Sequence, residues 1–181
     1  MMHVPVLCKS LLIPAFLTLS LPAWASVSTQ GKGRISVAGS IIDSACAIAT
    51  DSREQYIEIG DVPFEQLARD GQGPTRPFSI HLVNCVLTRT DPARPNWETF
   101  EITFDGVRDN HYFGALGSAS GIALRITDAD GSIITPGKAL SRRNIHPKEM
   151  RLNYYITPVA SGQVLKPGDY SSLIKFKLDY F

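Results

Sequence analysis

Cysteine is scarce in this 181-residue chain: there are three, and only Cys46 and Cys85 lie beyond residue 25. They do not form a CxxC, and no histidine adjoins either, so the spacing argues against a redox or zinc site. An excess of one charge is missing too. Lys9 is the only charged residue among the first 25, so the other basic residues balance the 17 acidic ones. Nothing here would draw in nucleic acid by charge alone, and there is no acidic tail. No segment repeats helical periodicity over three turns. P-loop, GxSxG, HExxH and paired-carboxylate patterns are all absent. His81 alternates away from Ile80 and Leu82, which puts it on a strand surface, and His111 and His146 sit in polar surroundings. "DADG" (Asp128 to Gly131) is followed by Ser132, Ile133 and Ile134 rather than by further ligands, so it predicts a hairpin turn and not a calcium loop. No catalytic residue, metal site or cofactor is expected.

One apolar run is present, "LLIPAFLTLSL" from Leu11 to Leu21, ahead of "AWA" (Ala23 to Ala25). It is too short for a membrane span, which needs about 20 apolar residues, and Pro14 interrupts it. It predicts a secretory signal peptide over residues 1–25, cut between Ala25 and Ser26. In an exported chain the even pair Cys46 and Cys85 is expected to form a disulfide. Closing a loop of about 40 residues would contribute roughly 3–4 kcal/mol by the chain-entropy argument.

The rest reads as strands. Apolar residues alternate in Arg34–Ile42, in Gln55–Gly60 and in Arg76–Leu87, where Phe78, Ile80 and Leu82 share a face. The pattern recurs through Phe100, Ile102 and Phe104, through Ile122, Leu124 and Ile126, and through Leu152, Tyr154 and Ile156. It is clearest at the C-terminus, where Ile174, Phe176, Leu178 and Tyr180 oppose Lys175, Lys177 and Asp179. Turn signals fall at Asp105-Gly106, Asp130-Gly131, Pro136-Gly137 and Pro167-Gly168. One short helix is expected within Asp61–Gly71, with Asp61 as cap, Phe64 and Leu67 inward and Gly71 as stop. The pattern predicts an all-β, immunoglobulin-like sandwich. Between Ser26 and Ala38, the odd positions Val27, Thr29, Gly31, Gly33, Ile35 and Val37 share one face. By composition alone that arm reads as a tail rather than a weak strand.

An alternating arm, then "GSIIDSAC" (Gly39 to Cys46), "IHLVNC" (Ile80 to Cys85) and a terminal alternating strand with a penultimate tyrosine together resemble the pilin subunits of chaperone–usher fimbriae. "GQGPTRPFSIHLVNC", "ITFDGVR", "GIALRITDADGSI" and "LKPGDYSSLIKFKLDYF" are most similar to the anchoring, or terminator, minor subunit of P pili. The resemblance implies an incomplete immunoglobulin-like sandwich that lacks its last strand and is completed by donor-strand complementation. A periplasmic chaperone would lend a strand to the gap, and an outer-membrane usher would assemble the fibre. The N-terminal extension of a neighbouring pilin would then replace the lent strand. On this reading residues 26–38 are the donor extension, with Val27, Thr29, Gly31, Gly33, Ile35 and Val37 facing a neighbour's groove. Residues 39–181 are the pilin domain, and Ile174, Phe176, Leu178 and Tyr180 form the strand beside the gap. The expected function is a structural minor subunit that ends and anchors a surface pilus at the usher and so supports cell adhesion. The alternatives are a shaft or adaptor pilin and, behind those, an adhesin using Trp97 or Tyr112. The expected partners are the chaperone, the usher and other pilins, with no nucleic acid and no small-molecule substrate. Phe64, Phe113 and Tyr155 are candidates for closing the groove of a terminator.

Overall fold

The computed structural model describes residues 34–39 and 43–181. The signal peptide and the arm positions Val27, Thr29, Gly31 and Gly33 lie outside the described residues. The chain divides into two compact units, Met1–Ser40 and Ile41–Phe181. In the first, residues 34–39 form no strand, and Ile35 and Val37 are each 92% exposed. The strand expected over Arg34–Ile42 is therefore not formed in its described part. Extended chain is held by a partner's hydrogen bonds, and a short segment has no stability by itself.

In the second unit the elements are β1 (Ala47–Ile48), α1 (Thr50–Arg53), α2 (Phe64–Asp70), β2 (Arg76–Cys85), β3 (Thr99–Gly106) and β4 (Arg108–Asp109). There follow β5 (Tyr112–Gly114), β6 (Leu116–Gly117), β7 (Ile122–Asp128), β8 (Ile133–Ile134), β9 (Arg143–Asn144), β10 (Lys148–Ala160), β11 (Tyr170–Ser171) and β12 (Ile174–Tyr180). One sheet runs β1-β2-β10-β7-β5-β4, with β8 also paired to β7. The other is β12-β3-β9, and β6 with β11 forms a small ribbon. Every pairing is antiparallel. This is an all-β, immunoglobulin-like sandwich.

The core lies where the alternating faces meet. Ile80, Leu82, Leu124, Ile126, Leu152, Tyr154 and Ile156 come from the large sheet, and Phe100, Ile102 and Phe104 from the small one; all are buried. Phe104 packs edge-on against Tyr154, with ring centroids 4.9 Å apart, and Phe78 lies 5.4 Å from Tyr154 and 6.4 Å from Phe104, so the three rings form one cluster. Burial pushes the Tyr154 phenol up to about 12, against the lowering influence of the Arg143 charge, with the Asp128 carboxylate adding to the rise. Cys46 and Cys85 are disulfide-bonded, tying the chain just before β1 to the end of β2.

Local expectations fare unevenly. The hairpin at Asp130-Gly131 is present, and Asp128 Oδ1 accepts hydrogen bonds from the Asp130 and Ser132 amides at 3.0 and 2.9 Å. Gly71 stops α2 in a left-handed conformation, φ 71°, where Gly carries no Cβ penalty. The helix starts after Pro63 rather than being capped by Asp61. Leu67 is buried, but Phe64 is 43% exposed rather than inward. Asp105-Gly106 is not a turn. It continues β3, with Asp105 opposite Lys175 and Gly106 opposite Ile174. A Cβ at Gly106 would sit 3.0 Å from the Leu173 carbonyl oxygen, so Gly here allows close strand approach rather than a reversal. Gln55–Gly60 forms no strand either, although its alternation is real: Ile59 is buried, Ile57 packs on the core and Tyr56 is 93% exposed.

Candidate acceptor groove

β12 is an edge strand. Its seven residues pair with β3, from Ile174 opposite Gly106 to Tyr180 opposite Phe100, and β12 is the last strand of its sheet. Among the described residues, its other side therefore presents unpaired backbone donors and acceptors, which template a further strand. Ile174, Phe176, Leu178 and Tyr180 are half-buried against the core, while Lys175 and Lys177 are exposed.

Alongside lies a cavity of about 970 Å³. One wall is residues 168–176, the ribbon strand β11 leading into β12. The other is residues 52–62, whose backbone joins no ladder. The floor is Phe78, Ile80, Phe104, Leu124, Ile126 and Ile156, contributed by both sheets. An apolar floor between two walls of extended or irregular backbone has the shape and chemistry of a missing strand's place. The wall at 52–62 is held at intervals rather than by a ladder. Ser52 Oγ accepts from the His81 amide at 3.0 Å, Gln55 Nε2 donates to the Ser79 carbonyl at 3.0 Å, and the Arg76 guanidinium donates to the Ile59 carbonyl at 3.1 Å.

Of the four β12 residues predicted beside the gap, Ile174 and Phe176 line the groove and Leu178 and Tyr180 lie beyond it. Beyond the groove the Tyr180 hydroxyl donates to the Cys46 carbonyl at 3.4 Å, and its ring stands edge-on to Trp97 at 6.0 Å. Burial raises this phenol to about 12. Burial also raises the Tyr170 phenol, in the opposite reach of the groove. Phe64, Phe113 and Tyr155, the candidate closing residues, are not among the groove's walls or floor. Phe113 is fully buried, and Tyr155 is 40% exposed.

Trp97 is 7% exposed and lies beneath the Arg89 guanidinium, 3.3 Å from the ring centroid, so it is core. Tyr112 is half-buried in β5. His111 and His146 are exposed and His81 is half-buried. Among the described residues, no group of three His, Cys, Asp or Glu is placed to hold a metal. Sequence reasoning missed the 52–62 wall. Its signal was an alternating stretch that, unlike those of β2, β3, β7, β10 and β12, found no partner among the described residues.

A sandwich with an apolar groove and a free edge strand defines a strand-accepting module, of the kind that assembles by exchanging strands. The chain matches the model of the family described as "Fimbrial protein" over residues 35–180, and it belongs to that family. The PAP fimbrial minor pilin protein of Escherichia coli is 32% identical over 165 residues, covering 90% of this chain and 85% of that one. The major MR/P fimbria protein of Proteus mirabilis is 32% identical over 171 residues, covering 91% and 93%. In fold, the chain is similar to the crystal structure of the P pilus rod subunit PapA, with TM-score 0.68 at 22% identity, covering 76% of this chain and all of that one. This chain is thus a structural subunit of chaperone–usher fimbriae, the surface pili whose subunits contact neighbouring subunits.

Proposed function

We propose that the chain is a minor structural pilin that ends a chaperone–usher fibre and anchors it at the outer-membrane usher. The groove beside β12 carries the reading. On leaving the inner membrane, with residues 1–25 removed, the subunit has an open apolar gap, and a periplasmic chaperone fills it with a lent strand. Burying one Val- or Leu-sized side chain contributes roughly 1.5–3 kcal/mol, so several such contacts and a backbone ladder make a durable joint. The arm, residues 26–38, enters the groove of the preceding subunit with its odd positions inward. The domain proper, residues 39–181, keeps its own lent strand in place, so growth stops there. Likeness to a minor pilin of P pili supports the terminal position.

A second reading, a shaft or adaptor pilin that both donates and accepts an arm, has its own support. The groove is lined as far as Gly168 and Val62 with none of the three candidate aromatics in it, and identity to a major fimbrial protein is equally 32%. Deleting the gene separates the two. A terminator's loss gives longer fibres that shed into the medium, and its excess gives shorter ones. Loss of all fibres, or labelling repeated along the shaft, establishes the second reading instead. An adhesin role has less support, because Trp97 is core rather than an exposed platform.

A further inference from the structure

The groove is not electrically neutral. Its charged lining residues are Arg53, Glu54, Glu58, Asp61, Asp169 and Lys175, four carboxylates against two cations. None of the six forms an ion pair among the described residues. Arg53 is engaged instead with the Ile48 carbonyl at 3.1 Å. The carboxylates concentrate on the 52–62 wall, where Glu54 and Glu58 are exposed on either side of the 93%-exposed Tyr56 ring. Alternation puts those three on the face away from the core, while Ile57 and Ile59 point inward. A seated strand would therefore meet an apolar floor on one face and, beside its outward face, the acidic lip of the 52–62 wall, across from the exposed Lys175 and Lys177 of β12, the latter paired with Asp179.

We propose that this lip selects the occupant: a donated strand that is apolar on its inward face and basic on its outward face. The chain's own arm has that chemistry. From Ser26 to Ile42 it carries Lys32 and Arg34 and no acidic residue. With Val27, Thr29, Gly31, Gly33, Ile35 and Val37 inward, Lys32 and Arg34 fall on the outward face, in reach of Glu54 and Glu58, and Tyr56 offers a cation a ring face. A strand with acidic outward residues gains the same apolar burial but faces like charge. The inference rests on the groove receiving a donated strand and not on the chain's place in the fibre. Binding of a free strand to an empty groove is an equilibrium, whereas termination concerns displacement of a strand already seated.

The test refolds the full exported chain from denaturant in the presence of a synthetic Ser26–Ala38 peptide in excess over the chain's own arm. A second peptide carries Lys32→Glu and Arg34→Glu. The native peptide should reach half-maximal yield of folded protein at about ten-fold lower concentration, the order expected for two partly exposed charge pairs turned from attractive to repulsive. The Glu54→Lys/Glu58→Lys chain should reverse the preference. Should that variant not fold, salt serves on the unaltered chain: the preference should shrink between about 0.05 and 0.5 M. Equal rescue by both peptides at low salt overturns the charge selection and leaves the acceptor groove standing. Rescue by neither overturns the acceptor groove itself, and the inference with it.

Discussion

The two walls of the groove have the same kind of sequence and different structures. Ile174–Tyr180 alternates apolar and polar residues, and so does Gln55–Gly60. The first is a strand with all seven residues in register with β3; the second makes no ladder at all. Both turn their apolar side chains inward, Ile174 and Phe176 on one side and Ile57 and Ile59 on the other. Alternation therefore fixes which face a segment buries, while only a partner makes it a strand. In this fold the second wall is short of that partner, and the groove is the shape of the shortage.

The comparison breaks first under a charge on each wall. Phe176 packs on Phe104, 6.1 Å between centroids, at the edge of the groove floor. Phe176→Asp removes that packing and places a carboxylate over apolar surface, costing about 4 kcal/mol or more. That is a large share of a domain's stability, so the folded subunit should vanish from periplasmic extracts. Tyr56→Asp, on the exposed face of the other wall, should shift stability by no more than about 0.5 kcal/mol. Equal yields for the two variants would mean that the walls do not differ as described.

Next in size is the covalent tie. The Cys46–Cys85 disulfide closes a loop of sequence separation 39 that contains the whole 52–62 wall. With no ladder in that wall, the disulfide adds to a few side-chain hydrogen bonds in restraining it, whereas β12 has β3. Replacing both cysteines by alanine should lower stability by about 3–4 kcal/mol. Amide exchange should rise most over residues 52–62 and least over β12. A uniform rise across both walls would count against the unequal restraint.

The strands whose partners lie within the alternating set were legible in the sequence: β2, β3, β7, β10 and β12 occur where the pattern placed them, and so does the turn after Asp128. What was not legible depends on distant chain. Asp105-Gly106 carries a turn dipeptide, yet the approach of Leu173 from nearly seventy residues on makes it the end of a strand. Asp61 has the chemistry of a cap, but the helix begins only after Pro63. At the site, the inward face of β12 could be read directly. The opposing wall could not, because a strand without a partner and a strand with one have the same local sequence.

The smallest of the predicted losses to the floor and its walls lies beneath them. Tyr154 packs against Phe78 and Phe104, and both of these rings line the groove floor. Its phenol ionises near 12 in the folded chain against an ordinary value of 10, because burial disfavours the anion. The folded state therefore holds this proton to higher pH than the unfolded state does. The stabilisation is complete below pH 10 and is lost as pH rises from 10 to 12, a change of roughly 2–3 kcal/mol. Tyr180 shifts in the same direction, so its contribution also fades on the alkaline side. Denaturant midpoints measured between pH 9 and pH 12 should be level at first and then fall. In Tyr154→Phe the fall should be shallower, since the ring is kept and the ionisable group is gone. Because the floor is shared, amide exchange should quicken over the two walls together, unlike the disulfide case, where the loss is one-sided. An alkaline loss confined to β12 would assign the effect to Tyr180 and remove Tyr154 from the floor's support.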